Sequence, residues 1–430
     1  MPHRFRCSVW LVGGRQGVIP GWDRFGRRTG RANMRRIALV LCCTALLLVG
    51  ASGCAAGGGD TYKVGYLASQ TGPYAALGLA SSQGAQLRVN QINEAGGING
   101  KQIELILIDD RGTATDSALG AQKLIEVEGV ITLASATATA LSHAVIPVLN
   151  ENETPGLIIS GTGLIMDQLG VWTFKPSSCE ADYMPLPLKY LRDDMGATTV
   201  AAMIENSGYG EGGEFYLGTV APDMGMEVVE IQQFDPGATD MTPQLANIKS
   251  SGAESMLIWG SGPAGALAIK QAREMGIMIP IATTPAQSSL SYYQAFAESY
   301  EMDPSPGFLD NKPTIWPQLS DSDPDKAMCR AFEEQFSAEY GRIPGIYEAI
   351  GFSFIEFIAD GLERADPDLS DMATARSQLR DAYEQTENLS VIIGTYTMSP
   401  DDHYGRVVPK EVLVTFKDGE KVLVRTHYDD

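Results

Sequence analysis

Residues 62–110 read YKVGYLASQTGPYAALGLASSQGAQLRVNQINEAGGINGKQIELILIDD, and the fold is decided here. Val64 to Leu67 is an apolar run that stops at Ser69-Gln70-Thr71-Gly72-Pro73, which predicts a strand and then a polar loop. From about Leu77 the apolar residues Leu79, Ala85, Val89, Ile92 and Ala95 recur at three-to-four residue spacing, the period of a helix. Gly96-Gly97 supplies a helix end and Asn99-Gly100 a turn. Ile103 to Ile108 is a second apolar run, closed by Asp109-Asp110. The unit is βαβ, with its polar loop at the carboxyl end of the first strand, where ligands of open parallel sheets sit. That loop offers hydroxyls and backbone donors but no basic residue, which suits a small polar molecule better than a phosphate.

The same alternation continues outward. Helices are predicted at Asp116–Glu128 and Thr139–Asn150, and strands at Val130–Ala134, Pro155–Ile159 and Trp172–Lys175. Pro176-Ser177-Ser178 interrupts the series. A second series runs through helix Asp182–Asp194, strand Thr198–Ile204, helix Glu211–Ala221 and strand Glu227–Phe234. It continues with helix Thr242–Ser250, strand Ser255–Trp259, helix Gly265–Met275 and strand Ile279–Thr283. Repeats of this length call for parallel sheets with helices on both faces. The Pro-rich stretch Pro304–Pro317 marks a return crossing. Amphipathic segments Lys326–Tyr340 and Tyr347–Arg364 are expected to pack on the first lobe. Ile392–Thr397, and a hairpin of Val412–Phe416 with Lys421–Arg425 around Asp418-Gly419, close the chain.

At 430 residues the chain is too long for one ordinary core, so two lobes are the prior. Its start differs from the rest. Met34-Arg35-Arg36 precedes the apolar run Ile37 to Gly50, and Ala51-Ser52-Gly53-Cys54 follows. A basic start, a short apolar core and small residues make a secretory signal, too short for a membrane span. Residues 1–33 read as an extension ahead of a true start at Met34. Nine of the 32 basic residues and one of the 53 acidic residues precede Cys54, leaving 23 against 52, a net charge of −29. Such a chain repels anionic surfaces, which argues against a nucleic-acid partner. Cys179 and Cys329 are the cysteines left after Cys54, either bridged or as buried thiols.

The words TGPYAALG, INEAGGINGKQIEL and the terminal DD, in register, resemble extracytoplasmic solute-binding proteins of the leucine/isoleucine/valine-binding family, and the likeness runs from about Lys63 to Val424. It implies a type I periplasmic-binding fold: two Rossmann-like α/β lobes with parallel sheets, joined by a three-crossing hinge. The expected divisions are a signal peptide at 34–53, a tether at 54–61, the first lobe at 62–176 and the second at 177–308. The first lobe resumes at 309–391, and 392–430 returns to the second lobe and the hinge hairpin. The leader resembles a bacterial lipoprotein signal, with Cys54 the lipidated residue and an anchor to the membrane. What the resemblance implies is a monomeric binding protein that hands a small ligand to the permease and ATPase of an ABC-type importer. A sensor of the same fold is the alternative.

Gly208-Tyr209-Gly210-Glu211-Gly212-Gly213 fits the GxGxxG pattern of a dinucleotide site, but Glu205, Glu211 and Glu214 would repel a pyrophosphate. The resemblance gives Tyr209 another role, reaching into the interlobe cleft. Ser135-Ala136-Thr137 and Ser160-Gly161-Thr162-Gly163 each follow a strand and precede a helix or loop, where hydroxyls and free amides can meet an anion. In the family, matching loops grip a ligand carboxylate. Ser135, Ala136, Thr137, Gly161, Thr162, Tyr209 and Ser261 are therefore the candidate ligand contacts. Amino-acid binders of the family carry an acid after the strand matching Ile279–Thr283, where this chain has Thr284-Pro285-Ala286-Gln287. They also carry an aromatic where Ser261-Gly262-Pro263 stands, and Tyr in place of Leu77. Burying an ammonium without a counter-charge is costly, so an amide, a carboxylic or aromatic acid, or another small polar solute competes with an α-amino acid. No catalytic residue, metal site or cofactor is expected: His143 and His403 lack ligand spacing, and there is no CxxC, HExxH or nucleophile elbow. Asp109-Asp110 is read as a loop cap.

Overall fold

The computed structural model describes residues 61–426. β1 (Tyr62–Leu67) leads through helix Ala75–Glu94 to β2 (Ile103–Ile108), and the two strands pair in parallel from Tyr62 opposite Ile103 to Leu67 opposite Ile108. The helix ends where Gly96 takes a φ of +105°, open to glycine and strained for other residues. β3 (Thr132–Ser135), β4 (Gly156–Ile158) and β5 (Thr173–Phe174) complete a five-stranded sheet in the order β2-β1-β3-β4-β5. Each pairing in it is parallel.

The second sheet gathers β6 (Thr199–Glu205), β7 (Glu227–Phe234), β8 (Ser255–Trp259), β9 (Ile281–Thr283) and β10 (Gly307–Asn311). These five pair in parallel in the order β10-β9-β8-β6-β7. A small antiparallel sheet follows, of β11 (Leu389–Val391), β12 (Gly394–Tyr396) and β13 (Arg406–Pro409). β14 (Glu411–Lys417) and β15 (Glu420–Thr426) then form the hairpin read at Asp418-Gly419, where both turn residues have positive φ, as a tight two-residue turn requires. β14 adds antiparallel to β10, so the second sheet has seven strands.

Two α/β lobes result, and the chain passes between them three times. The passages fall after β5, after the turn of helix at Lys312–Gln318, and between β13 and β14. Two of them lie later than the divisions read from sequence. Leu309–Asn311 belongs to β10 of the second sheet, and Ile315 and Leu319 bury in that lobe's core. Val391, Ile392, Ile393 and Tyr396 pack with the first lobe's core rather than the second's. Both segments are short and flanked by Pro or Gly, so their apolar residues carry no periodicity that would assign them to a lobe.

Helix Ile346–Ala365 returns to the first lobe and crosses helix Ala75–Glu94 at very short range. A Cβ on Gly84 would lie 1.9 Å from the Glu348 carbonyl oxygen, and one on Gly351 would lie 1.9 Å from that of Ser81. Close approach of two backbones explains both glycines. The helix reads apolar nearly all round because 14 of its 20 residues are buried, Phe352, Phe354, Ile355 and Phe357 among them.

Charged residues join the three passages. The Arg406 side chain is buried and donates to Asp182 at 2.8 Å and to both Glu411 oxygens at 2.6 and 2.7 Å. Lys312 and Lys410 both reach Asp325, each at 2.8 Å. Burying such ions is expensive, and each is offset only while its partners stay in place. Cys179 and Cys329 are both buried and both free. Among the described residues no helix is long and apolar enough to cross a membrane. Cys54 and the leader lie outside the described residues.

Candidate functional site

The carboxyl ends of β1, β3, β4, β6, β8, β9 and β10 converge on the space between the lobes. In parallel sheets this end carries the loops and the exposed amides of following helices. A cavity of about 60 Å³ lies there, room for a few water-sized groups. The first lobe lines it with Thr137, Ala138, Thr139, Ile159 and Gly161, and the second with Tyr183, Tyr209, Ser261, Pro285, Ala286 and Asn311. Ser177, Ser178 and Ile393 from the passages, and Ile346, Tyr347 and Ile350, close the wall. Among the described residues no lining side chain is charged.

The first-lobe wall is held by its own hydroxyls. Thr137 Oγ1 accepts from the Ser69 amide at 3.0 Å, and Thr139 Oγ1 accepts from the Gly161 amide at 3.0 Å. Ala138 precedes helix Thr139–Glu151 and offers it no capping side chain, so the amides of its first turn are left for another acceptor. The Asp pair braces the first loop: Asp109 accepts from the Gln70 amide at 2.8 Å and the Thr71 hydroxyl at 2.8 Å. Asp110 accepts from the Ser69 hydroxyl at 2.5 Å. Both act as loop caps.

Across the cleft, Tyr209 stands in the first turn of helix Gly208–Asp223, capped by Ser207. Its hydroxyl meets that of Tyr183 at 3.1 Å, and both rings lie against Trp259, centroids 5.5 and 5.8 Å away. Burial pushes both phenols well above their ordinary range, so they stay neutral hydrogen-bonding groups. The Tyr209 ring rests on Gly161 of the first lobe, where a Cβ would come within 2.3 Å of it. Two glycines of the GxGxxG pattern serve packing: a Cβ at Gly210 would strike the Glu205 carbonyl, and one at Gly213 the Trp259 indole.

Glu205 lies behind Ser261 on this wall, and it is fully engaged. It accepts from the amides of Ser261 and Gly262 at 2.9 Å each, and from the hydroxyls of Ser261 at 3.1 Å and Ser207 at 2.8 Å. Ser261 thus lines the cavity with both of its donors turned to Glu205. Behind the floor, Lys175 Nζ donates to the Ser177 carbonyl at 2.7 Å, and burial lowers its pKa. Glu180 is buried beside the Gly161–Gly163 loop, accepts from the Gly163 amide at 3.0 Å, and is pushed up to about 8 by desolvation. His143 bonds Ser160 at 3.3 Å and is lowered to about 4 by burial and by Lys175. His403 lies elsewhere, stacked on Phe174 with Nδ1 at 3.0 Å from the Thr173 carbonyl oxygen. Among the described residues no cluster of ligand side chains could hold a metal ion.

Of the residues read from sequence, Thr137, Gly161, Tyr209 and Ser261 meet around this cavity. Ser135, Ala136 and Thr162 stand behind it. The Ser135 hydroxyl pairs with that of Ser142 at 3.1 Å, the Ala136 amide bonds the Leu67 carbonyl at 3.1 Å, and Thr162 Oγ1 accepts from the Leu164 amide at 3.2 Å. Tyr183, Asn311, Tyr347 and Ile393 were not read as site residues. They arrive from the hinge passages and from helix Ile346–Ala365, whose positions no local motif announces. Asn311 is the last residue of β10, a strand that no alternation announces.

A profile of the periplasmic binding protein family matches residues 61–408. The leucine-, isoleucine-, valine-, threonine- and alanine-binding protein of Pseudomonas aeruginosa is 25% identical over 314 residues, which is 71% of this chain and 79% of that protein. An extracellular ligand-binding receptor from Rhodopseudomonas palustris HaA2 superposes with a TM-score of 0.77 at 20% identity, covering 85% of this chain and all of that one. A solute-binding protein of an ABC transporter from Rhodopseudomonas palustris BisB5, solved with 3,4-dihydroxybenzoic acid, gives 0.72 at 19% identity, covering 86% and 97%.

Proposed function

Because the chain belongs to the periplasmic binding protein family, we propose that it captures a small polar solute between its lobes and delivers it to the permease of an ABC-type importer. The observation that carries this reading is the uncharged cavity walled by both lobes. A ligand that touches both walls stabilises the closed form by its differential affinity, and release needs only that those contacts be few and neutral. The first-turn amides after Ala138 would take an oxygen of the solute, either a carboxylate or an amide carbonyl. Thr137, Gly161, Tyr209 and Ser261 would complete the site.

The lining holds no acid at Pro285-Ala286, and Glu205 is already satisfied by four donors. An α-amino acid would leave its ammonium without a counter-charge. The relative from Pseudomonas aeruginosa is named for amino acids and one neighbour holds an aromatic acid, so the family's architecture accommodates both kinds of solute. The preferred classes here are a small amide and a carboxylic or aromatic acid. Delivery would occur outside the cytoplasm, with the protein acting as a monomer held at the membrane by a lipid on Cys54.

A thermal-shift screen of the purified protein against amino acids, amides, short carboxylates and aromatic acids tests the reading. A ligand bound only by the native state raises the melting temperature by mass action. A hit outside the amino acids, weakened at least tenfold by Tyr209→Ala, is the expected result. A hit that Tyr209→Ala leaves unchanged would remove the cleft as the site.

A further inference from the structure

Asn311 is buried, 3% exposed, and lines the cavity from the end of β10. Its backbone is engaged: the amide bonds Asp310 Oδ1 at 2.8 Å and the carbonyl accepts from the Thr314 hydroxyl at 3.0 Å. Its side chain is not. Oδ1 is a buried acceptor without a partner, and among the described residues Nδ2 donates no hydrogen bond either. A buried polar group left unmade costs free energy, and a fold keeps one where something else completes it. Other buried orphans, such as Trp259 Nε1 and Thr283 Oγ1, do not lie on this wall.

A carboxamide presents one acceptor and one donor side by side. Its complement is a neutral group carrying the reverse pair, so that two parallel hydrogen bonds form. An ammonium satisfies only the oxygen, and a carboxylate only the nitrogen. The surrounding wall carries no charge to hold either ion. We propose that Asn311 is a specificity-determining residue that pairs with a primary carboxamide of the bound solute. The proposal rests on the solute-capture reading above and narrows its ligand class to neutral amides.

Three probes that share an isopropyl group separate the possibilities: isobutyramide, isobutyrate and isobutylamine, titrated calorimetrically into the purified protein. Isobutyramide should bind most tightly of the three. Asn311→Leu, of similar size, should weaken it at least tenfold. Asn311→Asp keeps the shape, loses the donor at neutral pH, and should shift the preference toward isobutylamine; as a near-isosteric change it also guards against misfolding of the leucine variant. Isobutyramide bound equally well by wild type and both variants, yet lost in Tyr209→Ala, would overturn the role of Asn311 and leave the cleft standing. Tighter binding of isobutyrate or isobutylamine by the wild type would also overturn it. No heat from any probe, together with silence across the wider solute panel, would overturn the capture reading itself.

Discussion

Gly161→Ala is the sharpest single-atom probe of the cleft. Gly161 has no positive φ among the described backbone, so alanine meets no local strain there. Its Cβ, however, would lie 2.3 Å from Tyr209 Cε2, 2.5 Å from Cδ2 and 3.2 Å from the Tyr183 hydroxyl. Both aromatic residues belong to the second lobe, so the clash arises when the lobes are together and vanishes when they part. Overpacking of one methyl against a ring braced on Trp259 costs about 1–3 kcal/mol. Charged wholly to closure, that weakens ligand binding by about 5- to 150-fold. The assay is calorimetric titration of wild type, Gly161→Ala, Tyr209→Ala and the double variant with the best solute of the screen. If the methyl acts by striking the Tyr209 ring, the double variant binds no worse than Tyr209→Ala alone. Unchanged affinity in Gly161→Ala, or fully additive losses, would refute the reasoning.

Three other consequences are measurable. Glu180, at about 8, binds a proton that the unfolded chain, at its ordinary 4.5, has released, so its contribution to stability is full below 4.5 and falls as pH rises toward 8. His143, lowered to about 4, acts with the opposite sign below its ordinary 6.5, and Glu356, lifted to about 7 by burial, adds to the decline. Over pH 6.5 to 8, Glu180→Gln should abolish about 1.5 kcal/mol of the loss seen in urea melts; superimposable pH profiles would show that Glu180 holds no proton. Arg406→Ala leaves Glu411 buried, and Asp182 half-buried, without their cation, and should cost about 3 kcal/mol in the same melts; a loss under 1 kcal/mol would mean that the passages are joined by other contacts. Cys54→Ser should move the protein from the detergent phase to the aqueous phase of a phase-partition assay, while equal partition of both forms would leave Cys54 unlipidated.

Much of this was legible in the sequence, for physical reasons that differ by segment. Glu227–Phe234 and Ser255–Trp259 match their strands residue for residue. Lys326–Tyr340 matches its helix likewise, because one face of it is apolar at helical spacing. The Asp109-Asp110 caps and the Asp418-Gly419 turn follow from local backbone chemistry. β10 was hidden, since Gly307–Asn311 lies three residues past Pro304 and reads GFLDN, without alternation. Buried on both faces between β9 and β14, that strand needs none. Helices Leu290–Glu301 and Met372–Glu384 were not read at all, the first with a kink at Phe296 that breaks its period. Leu79, one of the apolar residues whose spacing marks its helix, is nonetheless 46% exposed. At the site, Thr137, Gly161, Tyr209 and Ser261 stand on loops or helix starts that follow strands. Which hydroxyl faces the cavity depends on the partners each finds: Ser142, in the following helix, claims Ser135, whereas Thr137 bonds the distant Ser69 and still reaches the wall.

Closure of the lobes on a solute that touches both is the central claim, and small-angle scattering of the purified protein measures it most directly. Saturating amounts of the solute found by the thermal-shift screen should shrink the radius of gyration in the wild type and leave that of Tyr209→Ala unchanged. A solute that binds tightly while the wild-type radius stays constant, or shrinks equally in both proteins, would contradict capture between the lobes.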